Sequence, residues 1–162
     1  MKKIGTLLAA LLLTTSIYAQ QAFKLKVSGE VGTPLELSLQ DLTKLPRKNA
    51  ALTDRDGKVH QYTGVPVYAI LQKAGVTLGG ELRGANLSKY LMVKCADGYE
   101  VLLSLAEIDN SFTDREVILA DTIEQQPLEA TKGPLRLIVP GEKKPARSCF
   151  QVVELVVGYG KD

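Results

Sequence analysis

The sequence of 162 residues contains 20 lysines and arginines against 18 aspartates and glutamates, and 45% of its residues are hydrophobic. This near balance of charge excludes a general nucleic-acid binder, which would carry a basic excess or a basic stripe. A chain of this length can bury a core without disulfide staples, so the composition predicts one globular domain of ordinary size.

The first 19 residues are typical of an export signal. Lys2 and Lys3 form a basic head, the apolar stretch 4–13 follows, and small residues ending at Ala19 fit a cleavage site. The apolar stretch is shorter than the roughly 20 residues that a membrane helix needs. We therefore predict a mature domain over residues 20–162, periplasmic or secreted, without a membrane span. Cleavage removes two lysines and leaves 18 charges of each sign, so any anion site must be local.

The first mature segments predict strands followed by a short helix. Residues 23–27 alternate apolar and polar side chains, which is typical of a half-buried strand, and residues 35–37 alternate again. Ser38 is a suitable N-cap with Asp41 in the first helical turn. Pro46 would end this helix.

A hairpin and the clearest helix come next. Segments 50–53 and 59–62 read as strands around the Asp-Gly turn at 54–57, a strong hairpin signal. Pro66 suits the first position of a helix, and Gly75 suits its C-terminal cap. One face of that helix would be apolar, formed by Val67, Ile70, Leu71 and Ala74.

The second half predicts more strands than helices. Ser104 and Glu107 have the spacing of a capping box, and residues 79–89 read as loop with some helix. The predicted strands are 90–96, 99–103, 117–120, 135–139 and 152–157. Seven to nine short strands with two or three short helices, in no regular alternation, predict an α+β domain with a mixed or antiparallel sheet.

Most familiar catalytic patterns are missing from the sequence. There is no glycine-rich phosphate loop and no C-x-x-C motif, and His60 is the single histidine, which excludes a histidine-rich zinc site. A catalytic triad around His60 stays open, although no nucleophile elbow is present. The pattern favours an outward-facing His60 on a hairpin strand.

The two cysteines leave several alternatives open. Cys95 lies in a predicted strand and reads as a buried structural thiol. Cys149 follows Lys143, Lys144 and Arg147, which would lower the pKa of its thiol, while the apolar strand after it favours burial. Reactivity, metal ligation or a disulfide therefore compete with an inert core cysteine at Cys149. A bond between the two would close a loop of roughly fifty residues, but spacing does not show that they meet.

The densest basic cluster lies between residues 133 and 149. Arg136 sits in an apolar strand and faces away from its leucine neighbours, and a loop carrying Lys143, Lys144 and Arg147 follows. Such a loop could hold a phosphate through lysine and bidentate arginine contacts. The alternative is a solvated basic turn that joins two strands.

Six short motifs occur in a specific order. They are YTGVP at 62–66, ADGY at 96–99, LSL at 103–105, ILA at 118–120, QPL at 126–128 and GPLRLIVPG at 133–141. Over most of the mature chain this order resembles the oxidoreductase molybdopterin-binding domain family, which has the sulfite oxidase fold. The resemblance implies an α+β domain that holds molybdenum through a pterin dithiolene and one cysteine.

The family's cysteine falls on a segment that corresponds to residues 51–54, which here read Ala-Leu-Thr-Asp. By the resemblance, Thr53 or Asp54 would occupy the vacant ligand position, and neither Cys95 nor Cys149 inherits that role. The resemblance also implies cofactor contacts elsewhere: Arg136, Lys143, Lys144 and Arg147 would contact phosphate, and Asp97 and Tyr99 would line the rim of the pocket.

The resemblance implies a molybdopterin-dependent oxidoreductase of sulfite oxidase type, in which the cofactor performs the chemistry. Its partners would be an anionic cofactor or small molecule and a redox or periplasmic protein. The missing cysteine favours a second hypothesis, a cofactor-free binding or accessory module on the same fold. A thiol-dependent role for Cys149 is a third hypothesis.

Overall fold

The computed structural model describes residues 23–160, and the predicted export signal and its cleavage site lie outside them. None of the helices in this part of the chain has the length and apolar character needed to span a bilayer. The helices are α1 (Leu39–Thr43) and α2 (Val67–Lys73), with 3₁₀ turns at Gly79–Glu81, Gly84–Ser88, Leu105–Glu107 and Pro145–Arg147. The strands are β1 (Lys24–Gly29), β2 (Leu35–Ser38), β3 (Lys48–Thr53), β4 (Val59–Pro66), β5 (Lys89–Cys95), β6 (Glu100–Ser104), β7 (Ile118–Ile123), β8 (Gln126–Pro127), β9 (Arg136–Ile138) and β10 (Val152–Tyr159).

The strands form two sheets. The first has the order β2-β1-β10-β5-β6, in which β1 and β10 are parallel and the other pairs antiparallel. The second has the order β3-β4-β7-β8, with β9 also paired to β7, and is antiparallel throughout. This arrangement confirms the predicted α+β class with mixed and antiparallel sheets.

The main core collects one face of each sheet and the apolar face of α2. In β1, Leu25 and Val27 are buried while Lys24 and Lys26 are exposed, as the alternation predicts. The predicted helix face is also confirmed, since its four apolar residues are buried. Members of the main core include Leu25, Val27, Ile70, Leu71, Leu91, Val93, Cys95, Leu103, Leu119, Leu137, Cys149 and Leu155.

The second sheet is covered on its other face as well. A second core there is formed by Ala50, Leu52, Tyr62, Ile118, Ala120 and Ile138. In β9, Leu137 enters the main core and Ile138 enters the second core. Arg136 faces the same side as Ile138, so a charged side chain is placed within a largely apolar layer. Its exposed fraction is 1%.

The helix start at Pro66 differs from the prediction. Pro66 is the last residue of β4 and the N-cap of α2, not the first helical residue. It pairs in register with Ile118, and the Val67 amide donates to the Val117 carbonyl at 2.9 Å. Pairing with β7 therefore holds the chain extended for one more residue before α2 begins.

Candidate ligand site around Asp54

The hairpin between β3 and β4 places Asp54 at its turn. The Asp54 amide donates to the Lys58 carbonyl at 2.9 Å, and the Gly57 amide donates to the Asp54 carbonyl at 3.0 Å. Gly57 has a φ of +77°, a conformation that glycine adopts without steric cost. The turn directs the Asp54 carboxylate back along β4, where the Tyr62 hydroxyl donates to it at 2.9 Å.

Arg136 meets this carboxylate from β9. Its Nη1 lies 2.6 Å from Oδ2 of Asp54 and its Nη2 lies 3.2 Å from Oδ1, a two-point contact. Nη1 also donates to the Tyr62 hydroxyl, and Nε donates to the Ser148 carbonyl at 3.3 Å. The Asp54 side chain retains 16% exposure, against 1% for Arg136. The structure thus contains a largely buried ion pair with a tyrosine bound to both partners.

Aromatic rings add to the environment of Arg136. The guanidinium carbon lies 4.1 Å from the centroid of the Phe150 ring and 5.0 Å from that of Tyr62. Cation–π attraction at such distances stabilises a guanidinium, and more so where water is excluded. Arg55 approaches the same Phe150 ring at 5.8 Å. Phe150 therefore joins the buried Arg136 to the surface at Arg55.

The pair fixes the protonation states of its members. The hydrogen bond from Arg136 holds the pKa of Asp54 well below its usual range, despite partial burial. Burial, followed by the hydrogen bond to Asp54, raises the pKa of Tyr62 far above its usual value. A general acid or base works best with a pKa near the operating pH. Neither side chain titrates near neutrality, so the geometry suits a structural role for this pair better than proton transfer.

A cleft with a volume of about 490 Å³ opens beside the pair. Its lining is mixed in charge, with three carboxylates, two permanent cations, one histidine and two apolar side chains. Within it His60 Nε2 lies 2.9 Å from Oδ2 of Asp56, and Lys132 Nζ lies 3.5 Å from Oε2 of Glu129. The lining residues are Asp54, Arg55, Asp56, His60, Ile123, Glu129, Lys132 and Phe150.

The predicted site residues separate into two groups. Asp54 and Arg136 meet, but as partners of each other, so the expected phosphate contact of Arg136 would require this buried pair to open. Thr53 is exposed on β3 and does not belong to the cleft lining. Of the eight predicted site residues, only Asp54 lines the cleft in the described chain.

The second group surrounds the basic loop. Arg147 forms ion pairs with Glu142 and with Glu107, the latter at 2.9 Å, and donates to the Leu102 carbonyl at 3.2 Å. The pKa of Arg147 is raised, chiefly by the hydrogen bonds that it donates to Glu142. Arg147 therefore ties this loop to β6 and to the 3₁₀ turn after it.

The remaining members of this group lie at the surface. Tyr99 donates its hydroxyl to the Ala146 carbonyl at 3.1 Å, and the Asp97 carboxylate accepts the Tyr99 amide at 2.9 Å. Lys143 and Lys144 are exposed. Tyr99 and the basic loop are therefore neighbours, as the cofactor hypothesis requires, but the cleft at Asp54 does not include them.

Comparison with known families identifies the domain. The profile described as "Oxidoreductase molybdopterin binding domain" matches residues 53–147, more than half of the chain. The chain belongs to this family. The predicted family resemblance is thereby confirmed.

Solved structures extend the likeness in fold. The crystal structure of the sulfane dehydrogenase SoxCD from Paracoccus pantotrophus superposes with a TM-score of 0.65 at 22% sequence identity. The match covers 86% of this chain and 38% of that chain. No curated protein matches by sequence. The sulfite oxidase-type fold is thus shared with a much longer protein.

The residues present do not fit the family's thiolate-ligated molybdenum centre. No cysteine lines the Asp54 cleft, and Cys95 and Cys149 lie buried in the main core. Residues 23–160 contain no group of three or more histidine, cysteine, aspartate or glutamate side chains placed to hold a metal ion. At the segment that corresponds to the family's ligand, the Asp54 carboxylate is paired with Arg136, and Thr53 is exposed and does not line the cleft.

Sequence reasoning missed Tyr62 and Phe150 as members of the site. One signal was available, because an arginine within the apolar run LRLIV must either reach solvent or find a buried partner. Its partner could not be identified from sequence, since Asp54 lies 82 residues away. Phe150 gave no signal of its own, because a ring beside a strand reads as ordinary core.

Proposed function

We propose that this domain is a binding module that works without molybdopterin and holds a small ligand in the Asp54 cleft. The observation that carries the proposal is the Asp54–Arg136 pair. At the segment where the family places its metal ligand, this chain has an internal ion pair instead. We further propose that the domain acts in the periplasm, on the basis of its N-terminal sequence.

The cleft favours a small molecule that carries a carboxylate. Arg55 is exposed and forms no ion pair with any residue between 23 and 160, so its guanidinium can receive an anionic group in two-point fashion. Phe150 offers an apolar surface beneath it, at 5.8 Å. Asp56 and Glu129 stand nearby and would repel a molecule of several negative charges. A zwitterion such as an amino acid matches this mixture.

We expect binding of amino acids or dipeptides to depend on Arg55. Titration calorimetry with a panel of free amino acids and dipeptides should find a ligand, and Arg55→Ala should weaken its binding about tenfold or more, the loss of one charge-assisted contact. Arg83→Ala is the matched control, since Arg83 is also exposed but lies outside the cleft. Equal affinities of the two variants, or no binding from the whole panel, would count against this assignment.

A second candidate is a molybdopterin-dependent oxidoreductase. Membership of the family favours it, as do Lys143 and Lys144, which are exposed on the loop that corresponds to the cofactor side in the family. In that case these two lysines would hold the cofactor's phosphate. The cofactor, when bound, would supply oxygen-atom transfer.

Metal and pterin content separates the two candidates. We expect protein purified from its native compartment to contain far less than one molybdenum per chain, measured by mass spectrometry, and no fluorescent pterin oxidation product. Stoichiometric molybdenum and pterin would instead support the oxidoreductase. In that case the double variant Lys143→Ala/Lys144→Ala should retain less molybdenum and pterin than the wild type. The control variant Lys24→Ala/Lys26→Ala, which changes two exposed lysines on β1, should retain as much as the wild type.

A further inference from the structure

The two cysteines, 54 positions apart in the sequence, meet inside the main core. Cys95 ends β5 and Cys149 lies three residues before β10. Their exposed fractions are 5% and 4%, and both side chains belong to the same apolar cluster. Each thiol shifts the pKa of the other, as expected of neighbours within this core.

Backbone pairing produces this contact. Cys95 is in register with Val152 across the β5–β10 pair, and the Ala96 amide donates to the Gln151 carbonyl at 2.9 Å. On the other side the Cys149 carbonyl accepts the Leu137 amide at 2.9 Å. Hydrogen bonds on two different sheets thus fix the backbone around both cysteines, so the thiols meet in the folded domain without any rearrangement of a loop.

We propose that Cys95 and Cys149 are a disulfide-forming pair, oxidised during folding by a small disulfide such as oxidised glutathione. Forming the bond requires the two sulfur atoms to close to about 2.0 Å. Burial of both thiols means that the oxidant must act before the core is closed. Neither cysteine lines the Asp54 cleft, so the bond does not depend on the proposed ligand.

The chemistry proceeds by two exchanges. One of the two thiolates, for example that of Cys95, attacks one sulfur of the oxidant, forms a mixed disulfide and releases one glutathione thiolate. Cys149, after losing its proton, attacks the Cys95 sulfur and displaces the second glutathione. Two electrons and two protons leave the cysteine pair, and the oxidant becomes two thiols.

The folded, reduced domain does not itself offer a reactive thiolate at Cys149. Its contact with Cys95, followed by burial, raises the pKa of Cys149 far above its usual value. The cations that precede Cys149 in the sequence therefore do not activate it once the core is closed.

The bond would also restrain residues beside and within the lining of the Asp54 cleft. The segment that holds Cys149 supplies the Ser148 carbonyl to Arg136 and places Phe150 at 4.1 Å from the guanidinium. A disulfide to β5 would restrain these neighbours in the folded state. It would also close a loop of roughly fifty residues in the unfolded chain and so disfavour unfolding.

Thiol counting on the full mature chain tests the proposal. Protein is unfolded, reduced and refolded at a series of reduced-to-oxidised glutathione ratios, then denatured and alkylated with iodoacetamide. We expect the oxidised samples to incorporate no label, to weigh two hydrogens less than the reduced chain, and to yield a tryptic peptide linked between Cys95 and Cys149. Their Tm should exceed that of protein treated with dithiothreitol by about 10 °C.

Two variants complete the test. Cys95→Ala and Cys149→Ala should each keep one titratable thiol and lose the dependence of Tm on dithiothreitol. The wild-type comparison needs no substitution, so a variant that fails to fold leaves the test intact. Two labelled cysteines in folded protein at every glutathione ratio would overturn the proposal, as would oxidation that yields only chains linked to one another.

Discussion

Replacement of Asp54 by alanine is expected to lower the free energy of unfolding by about 3–5 kcal/mol. The substitution leaves the Arg136 guanidinium, which is 1% exposed, without its carboxylate partner. Tyr62 keeps its hydroxyl near the guanidinium but cannot neutralise the charge. Urea denaturation with linear extrapolation measures the change.

The pair between Arg47 and Asp121 is a matched control. It also has two-point geometry, at 2.7 and 2.6 Å, but its side chains keep 32% and 23% exposure. Asp121→Ala should therefore cost about 1 kcal/mol or less. The double variant Asp54→Ala/Arg136→Met should recover part of the loss, because it removes the unpaired buried charge. A cost for Asp54→Ala no greater than that for Asp121→Ala would show that the buried pair is not a source of stability.

The same pair predicts a dependence on pH. Folding lowers the pKa of Asp54. Its contribution to the free energy of unfolding is therefore fully present above the pKa of the unfolded chain, near 3.9, and is lost as the pH falls through the pKa of the folded domain. The difference in unfolding free energy between wild type and Asp54→Ala should be constant from about pH 5 to 8 and should narrow below about pH 4. A difference that widens on acidification would contradict the assigned ionisation.

Replacement of Gly64 by alanine is expected to destabilise the domain by about 3 kcal/mol or more. A Cβ atom at this position would lie 2.0 Å from the Leu119 carbonyl oxygen and 2.5 Å from the Ala120 Cα. Both are backbone atoms of the paired strand β7, beside the register shift between Thr63 and Gly64. The clash can be relieved only by separating two hydrogen-bonded strands, which explains why the YTGVP motif needs a glycine.

Gly80 provides the comparison for this substitution. A Cβ atom at Gly80 meets no atom within 4 Å, and its φ is not in the left-handed region. Gly80→Ala should therefore change stability by no more than about 0.5 kcal/mol. Thermal unfolding of both variants measures the contrast, and similar Tm values for the two would refute the steric explanation of the motif.

Much of the fold followed from short-range patterns. Alternation identified β1, and the apolar spacing after Pro66 identified α2 and its buried face. The two predicted N-caps, Ser38 and Ser104, both form capping boxes, the second on a 3₁₀ turn. These features depend on residues a few positions apart, where local geometry decides the outcome.

The site was harder to predict because it depends on distant pairs. The sequence showed the cations of the basic loop but not that Arg147 would be taken by Glu107, 40 residues away. It likewise showed Arg136 within an apolar strand. Burial of its side chain could not be predicted, because it requires the second sheet to be covered on both faces, which depends on the tertiary fold. Proximity of the two cysteines was left open for the same reason, since it depends on the pairing of β5 with β10.

The position of β10 bears on how the chain reaches its folded state. β10 inserts between β1 and β5, and one of its contacts, from Ser28 to Glu154, joins residues 126 positions apart. Until β10 arrives, β1 and β5 each present an open edge that can pair with another molecule. Loops of this length close slowly. A nascent chain would therefore stay in an aggregation-prone state until β10 is synthesised, and chaperones that shield strand edges should raise its yield.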